Sequence, residues 1–230
     1  MSRTVAITGG FGILGAAVGR RFAGAGWQVA LIDRADKPPS ELSSELADHL
    51  LLSGIDLTSL DSARSAIETV ASRFGGLDAL INVAGGFRWE TLKDGDLATW
   101  ELMFRMNLLT AATTSKAALD HLTKRGNGRI VNVAAAAATK AATGMGAYTA
   151  SKAGVMRLTE ALAEELKDQG VTVNAVMPSI IDTPQNRKDM PKADFSRWVQ
   201  PASLAEVIFF LTSDAASAVT GACVPVTGRV

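Results

Sequence analysis

Cysteine is almost missing from this chain. A single residue, Cys223, among 230 leaves no intrachain disulfide to form and excludes a cysteine-rich metal site. Histidine is nearly as scarce. His49 and His121 lie far apart in polar, helix-like surroundings and read as solvated surface residues, so no metal pair is expected. Neither sign of charge is in excess. Lys+Arg and Asp+Glu both number 23, which leaves no net field to draw the chain to nucleic acid or to an anionic membrane. No segment approaches the ~18 apolar residues of a membrane span. The apolar run inside "MSRTVAITGG" is too short for a signal peptide. The expectation left standing is a cytoplasmic protein whose partner is a small molecule, with neither nucleic acid nor membrane involved.

What is present is ordinary in amount. Hydrophobic residues make up 47% and charged residues 20%, enough for one well-buried domain over residues 1–230. "DRADKPPSE" (Asp33–Glu41) is rich in proline, but at this length it reads as a loop and not a linker.

Short apolar runs alternate with longer helical segments. "TVAITG", "QVALID", "LLSGID", "LDALINVAG", "GRIVNVAA", "VTVNAVMP" and "ACVPV" read as strands. Helices are expected at Ile13–Ala25, Ser40–His49, Leu60–Phe74, about Leu97–Lys124, about Met145–Gln169 and near Ser203–Thr212. A polar stretch with three prolines, about 179–201, is expected as a loop. This rhythm implies an α/β fold, a Rossmann-like doubly wound parallel sheet with helices on both faces. Ligands of such sheets bind beyond the carboxyl ends of the strands, where the motifs below all fall.

"TGGFGILG" (Thr8–Gly15) joins the first strand to the first helix with glycines at Gly9, Gly12 and Gly15. Glycine permits the tight turn and the close approach of a diphosphate. The helix N-terminus at Ile13 and Leu14 adds free N–H groups and a favourable dipole. Asp33 ends the second strand 18 residues after Gly15, near the ~20-residue offset of an acid that binds the adenosine ribose. A carboxylate there would repel a 2′-phosphate, so NAD is expected over NADP. The neighbouring Arg34 offers the opposing reading, a guanidinium that receives the phosphate. Asp56 ends the third strand, where it meets an adenine edge or, equally, serves as an acid beside a Thr58 or Ser59 helix cap.

Tyr148, the only tyrosine, and Lys152 stand at i and i+4 on one helix face. A phenol with a reference pKa of ~10 is a poor proton donor near neutrality. A nearby ammonium is expected to lower that value and to hydrogen-bond a nicotinamide ribose. Such a pair suits a reaction in which hydride comes from a cofactor and a proton from Tyr148.

The glycine turn, "NVAGG" (Asn82–Gly86), Asn107, "YTASK" (Tyr148–Lys152) and "VNAVMPSIIDT" (Val173–Thr183), in this order, resemble the short-chain dehydrogenase/reductase family over nearly the whole chain. The resemblance implies Tyr148 as acid/base, Lys152 as its partner, and Asn107 steadying Lys152 through a water. It implies an adenine pocket lined by Asp56 and Leu57. Ala84 and Gly85 would then pack near the adenosine ribose, Gly86 would join the cofactor-binding residues, and Pro178 to Thr183 would flank the nicotinamide. The family's paired-helix surface resembles helices 97–124 and 145–169 here, which implies a homodimer or homotetramer.

Two departures stand out. The glycine spacing differs by one position from the commonest family form. The family's substrate-orienting serine would fall thirteen residues before Tyr148, where this chain has Ala135, and Thr139 is four residues off that position. In lacking the serine, and in "AAAATKAATGMGAY", "VAGGF" (Val83–Phe87) and "DTPQNRKDMPKADFSRW" (Asp182–Trp198), the chain resembles the dihydropteridine reductase branch. That resemblance implies hydride transfer from NADH to a quinonoid dihydropterin. Such a substrate is already activated and asks less of a carbonyl-polarising hydroxyl. Phe87 or Trp89 would stack on the flat heterocycle. Trp198 would do the same or would anchor a lid over residues 184–200. Two alternatives stay open: a dehydrogenase of another small carbonyl or quinonoid compound, and a non-catalytic NAD-binding regulator.

Overall fold

The computed structural model describes residues 2–230. Among these, seven strands form one parallel sheet: β1 (Thr4–Thr8), β2 (Gln28–Ile32), β3 (Leu50–Leu52), β4 (Ala79–Asn82), β5 (Arg129–Val133), β6 (Thr172–Pro178) and β7 (Cys223–Val226). Their order is β3-β2-β1-β4-β5-β6-β7, so the chain reverses its direction of winding between β1 and β4. That switch point leaves a crevice at the carboxyl ends of the two strands.

Alternation along each strand divides the core in two. Val5, Ile7, Val29, Leu31, Ile81 and Val131 face one side, with Leu14, Val18 and Phe22 of α1 (Ile13–Gly24) and Leu204 and Ile208 of α8 (Pro201–Thr212). Ala6, Ala30, Ile32, Leu80 and Ile130 face the other, against α3 (Leu60–Phe74), α5 (Thr110–Arg125) and α6 (Gly146–Leu166). Each fully buried branched or aromatic side chain stabilises the fold by ~1.5–3 kcal/mol. Phe22 is wholly buried and meets Trp27 and Phe209 edge-on at 5.0 and 5.1 Å. Phe22→Ala therefore costs ~3–5 kcal/mol.

Local chemistry sets several helix ends. Ser59 caps α3 by accepting from Ser62 N, and Gly75 closes it in the left-handed conformation. The strands and the doubly wound topology agree with the sequence expectation. The expected helix from Leu97 is instead three pieces in series: α4 (Leu97–Met103), a π-helical segment (Phe104–Leu109) and α5. The helix expected to run to His49 stops sooner, as α2 (Ser40–Glu45). His49 is then half-buried, its Nδ1 accepting from Val29 N at 3.3 Å, and burial pulls its pKa down. It ties into the start of β2 and is not the solvated residue expected. The stretch expected as loop contains a short helix, α7 (Pro184–Asp189), which starts with Thr183 accepting from Asn186 N.

Candidate active site

Backbone packing shapes the turn after β1. A Cβ on Gly9 would stand 2.9 Å from Ala84 Cα, and one on Gly15 2.8 Å from Gly10 Cα. Glycine at both positions is thus required by the chain itself. Gly12 differs: its nearest neighbour would be Gly9 O at 3.4 Å, so the fold leaves room there. Gly12 is also the N-cap of α1, offers no side chain, and precedes first-turn N–H groups that lack intrahelical acceptors. Leu14 and Gly15 are buried, and Ile13 is half exposed.

Thr8 ties this turn to its neighbour across the switch point. Its hydroxyl accepts from Val83 N and Ala84 N, both at 3.1 Å, and so holds the segment after β4 against the glycine turn. Beneath it, buried Asn82 donates to Ser115 Oγ and Asn132 Oδ1, and Asn132 donates to Thr159 Oγ1. Asp33 lies just beyond β2. One carboxylate oxygen accepts from Phe11 N and the other from Ala35 N, both at 3.0 Å, which fixes the carboxylate over the glycine turn. Arg34 is exposed. Asp56 accepts from Thr58 N and Oγ1 at 2.9 and 2.8 Å, and these bonds hold its carboxyl below the usual range. Leu57 is buried in the core, so its side chain is committed to packing and its carbonyl accepts from Thr113 Oγ1.

The second half of the site gathers on α6 and the π segment. Lys152 is buried and donates to Val133 O at 2.7 Å, at the carboxyl end of β5. Burial pulls its pKa down to about 8. Asn107, inside the π segment, is also buried. Its Oδ1 accepts from Gly86 N at 2.8 Å, and its Nδ2 donates to Gly86 O at 3.1 Å and to Ser151 Oγ at 2.9 Å. The widened π turn presents this amide inward, as such turns do at functional sites. A Cβ on Gly85 would lie 2.5 Å from Asn107 Oδ1 and 3.3 Å from Lys152 Nζ, so Gly85, Asn107 and Lys152 converge.

Tyr148 is half-buried, and burial pushes its phenol up to about 12. This reverses the expected lowering. Lys152 directs its ammonium to Val133 O, and desolvation of the phenol outweighs any help from it. Phe87 meets the Tyr148 ring edge-on at 5.0 Å and is 56% exposed, leaving one face open at the mouth. Trp89 is exposed as well, its Nε1 donating to Thr143 O at 2.9 Å. Ala135 is buried in extended backbone and contributes a methyl group. Thr139 is exposed and donates its hydroxyl to Ala136 O, so it does not replace a serine at 135.

Pro178 is buried at the end of β6, and Thr183 is occupied as the cap of α7. Trp198 is 5% exposed and leans on Phe195 at 4.8 Å. Of the two roles expected for it, anchor of the loop fits; a burial this complete leaves no free stacking face. Sequence reasoning missed Thr8, Ser151 and the Val133 carbonyl. The hydroxyl at the strand end and the serine within "YTASK" were the available signals, but a backbone acceptor leaves none.

The site thus offers a backbone cradle with helix N–H donors, a fixed carboxylate 18 residues on, a buried ammonium and a protonated phenol. This donor set fits an elongated dinucleotide, whose diphosphate calls for backbone N–H donors and whose riboses call for hydrogen-bonding side chains. Comparison with known proteins agrees. Residues 3–194 match the family model described as short chain dehydrogenase. The chain is 31% identical to an acetoacetyl-CoA reductase of Allochromatium vinosum, over 99% of this chain and 98% of that protein. It is 34% identical to a cis-4-hydroxycyclohexanecarboxylate dehydrogenase of Sinomonas cyclohexanicum, over 98% and 95%. A solved short-chain type dehydrogenase/reductase from Mycobacterium ulcerans superposes with a TM-score of 0.89 at 25% identity, over 100% of this chain and 90% of that one. The chain belongs to the short-chain dehydrogenase/reductase family of NAD(P)-dependent oxidoreductases.

Proposed function

We propose that this enzyme transfers hydride from NADH to a planar, already activated heterocycle of the quinonoid dihydropterin type, with Tyr148 as the proton donor. The observation that carries the reading is Ala135: a buried methyl group stands where the family resemblance calls for a carbonyl-orienting hydroxyl. A substrate that needs no such donor suits a site that offers none. The open face of Phe87 beside Tyr148 gives a flat ring a surface to lie on.

Bound dinucleotide supplies the hydride; the chain supplies position and a proton. Asp33, fixed by Phe11 N and Ala35 N, would accept from the ribose diol when the dinucleotide binds, the basis for preferring NADH to NADPH. Lys152 uses one of its three N–H bonds on Val133 O and has others for the second ribose. Tyr148 stays protonated throughout the neutral range and gives up its proton only as the acceptor gains electrons. Asn107 keeps Gly86 and Ser151 in register around the ammonium. The enzyme is read as a cytoplasmic homodimer or homotetramer.

A second reading is supported by the relatives, whose names are those of enzymes of oxo and hydroxy compounds. In it the substrate is a small ketone or its alcohol, reduced without the serine. NADH oxidation measured with quinonoid dihydropterin and with a 3-oxoacyl thioester separates the two. Pterin turnover at least ~10-fold above thioester turnover, in kcat/KM, is expected. The reverse order sinks the pterin reading and leaves the family intact. Ala135→Ser sharpens the result: it should raise ketone reduction, where a well-placed donor contributes ~2.7–4 kcal/mol, and leave pterin reduction unimproved.

A further inference from the structure

Residues 180–200 leave the sheet and return to it through a narrow neck. Asp182 N donates to Val199 O at 2.8 Å, and Val199 N donates to Ile180 O at 2.9 Å. The Asp182 side chain sits in this neck, 6% exposed. Its two oxygens accept from Arg187 Nε and Nη2 at 2.6 and 2.7 Å, and one also accepts from Gln200 Nε2 at 2.9 Å. Arg187 belongs to α7, and Gln200 is the N-cap of α8. The carboxylate therefore joins the outgoing limb, the short helix and the returning limb at one point. The Arg187 guanidinium also lies over the Phe195 ring, 5.0 Å from its centre, and Phe195 leans on buried Trp198.

What makes this clasp decisive is the helix it holds. None of the six residues of α7 is buried, so apolar packing does not fix its place. Two polar ties do: Arg187 to Asp182, and Asn186 Nδ2 to Ile181 O at 2.8 Å. A bidentate guanidinium–carboxylate pair fixes orientation as well as distance. We propose that Asp182 is a positioning residue, whose carboxylate sets where α7 and the adjoining Thr183 stand at the carboxyl edge of β6 and thereby governs substrate capture without touching the substrate. The inference rests on reading this loop as the substrate-side cover.

Asp182→Asn keeps an acceptor for Gln200 and removes the ion pair, and half-exposed Arg187 is left free to hydrate. Arg187→Lys keeps the charge and loses the fork. With NADH present, trypsin should nick each variant after Lys188 or Lys192 ~10-fold faster than the native chain, with the unfolding transition nearly unmoved, because only local opening changes. For the best acceptor the native enzyme reduces, KM should rise ~5–10-fold with kcat within ~2-fold and with a clearly smaller loss of NADH affinity. The double variant should be no worse than either single one. Unchanged nicking overturns the proposal, and so does an equal loss of NADH affinity and KM, which marks a general structural role. Nicking needs no substrate, so it stands or falls separately from the pterin reading.

Discussion

Around Gly9 and Gly15 the site is made of backbone packed on backbone; around Tyr148 it is made of side chains leaning on one another. At Gly9 and Gly15 the first half tolerates no added atom, since neighbouring backbone would stand 2.9 Å or less from a Cβ. The second half rests on exposed Phe87 and Trp89 and on a π turn. A dinucleotide presents much the same atoms to every member of such a family, whereas substrates differ. On the proposed assignment, rigid backbone would serve most of the constant ligand, and replaceable side chains would serve the variable one.

The largest effect should come from breaking the rigid half. Gly15→Ala places its Cβ against the Gly9 carbonyl and Gly10 Cα, so a loss of ~3 kcal/mol or more in chemical denaturation is expected, with NADH binding lost. Gly12→Ala is the control within the same turn. Its Cβ has room, so stability should hold within ~1 kcal/mol while NADH affinity falls at least ~10-fold. Normal NADH affinity in Gly12→Ala would show that the diphosphate passes elsewhere.

Next comes the side-chain half. Tyr148→Phe keeps the edge-on contact with Phe87 and removes the proton, so turnover should fall ~10²-fold or more at unchanged NADH affinity. Full activity in that variant takes Tyr148 out of the reaction. A smaller effect is expected at the ribose. NADH should bind at least ~10-fold tighter than NADPH, and Asp33→Asn should narrow the gap. Equal affinities in the native protein would mean that exposed Arg34 governs the choice.

The pH profile tests the same contrast most gently. Lys152, held down by burial, loses its proton near pH 8, whereas Tyr148 keeps its own to about 12. The value of kcat/KM for reduction should therefore be level below pH 8 and decline above it. Linkage gives an independent sign. Between about 8 and the ordinary lysine value of 10.5 the unfolded chain binds more protons at Lys152, so this group makes stability rise with pH in that window. Tyr148 acts oppositely from about 10 to 12, where the folded chain retains the proton. Lys152→Met should abolish the rise.

The same division explains what the sequence disclosed. β1, β2 and the turn between Thr8 and Gly15 were legible because buried parallel strands are continuous apolar runs and forced glycines have no substitutes. The π segment was not, since one long helical run from Leu97 reads the same with or without a widened turn. The upward shift of Tyr148 escaped because burial depends on Phe87 and on neighbours remote in sequence. α7 escaped because a helix with no apolar face has no period to detect. Trp198 could be placed on the loop but not oriented, as nothing in "FSRW" tells that the ring turns inward.

The π segment has one more consequence. A π turn holds one residue more than the α pitch would use, and each residue of an α-helix turns the chain by ~100°. Deleting a single residue from Phe104–Leu109 would rewind the stretch and swing α5 by that angle relative to α4. Thr110, Ala111, Thr114, Ala118 and Leu122, now turned to the interior, would face sideways. The surplus residue works like a vernier between two scales: α4 keeps Thr99 and Met103 turned inward, α5 stays in register with the sheet, and Asn107 sits at the joint that lets both readings hold.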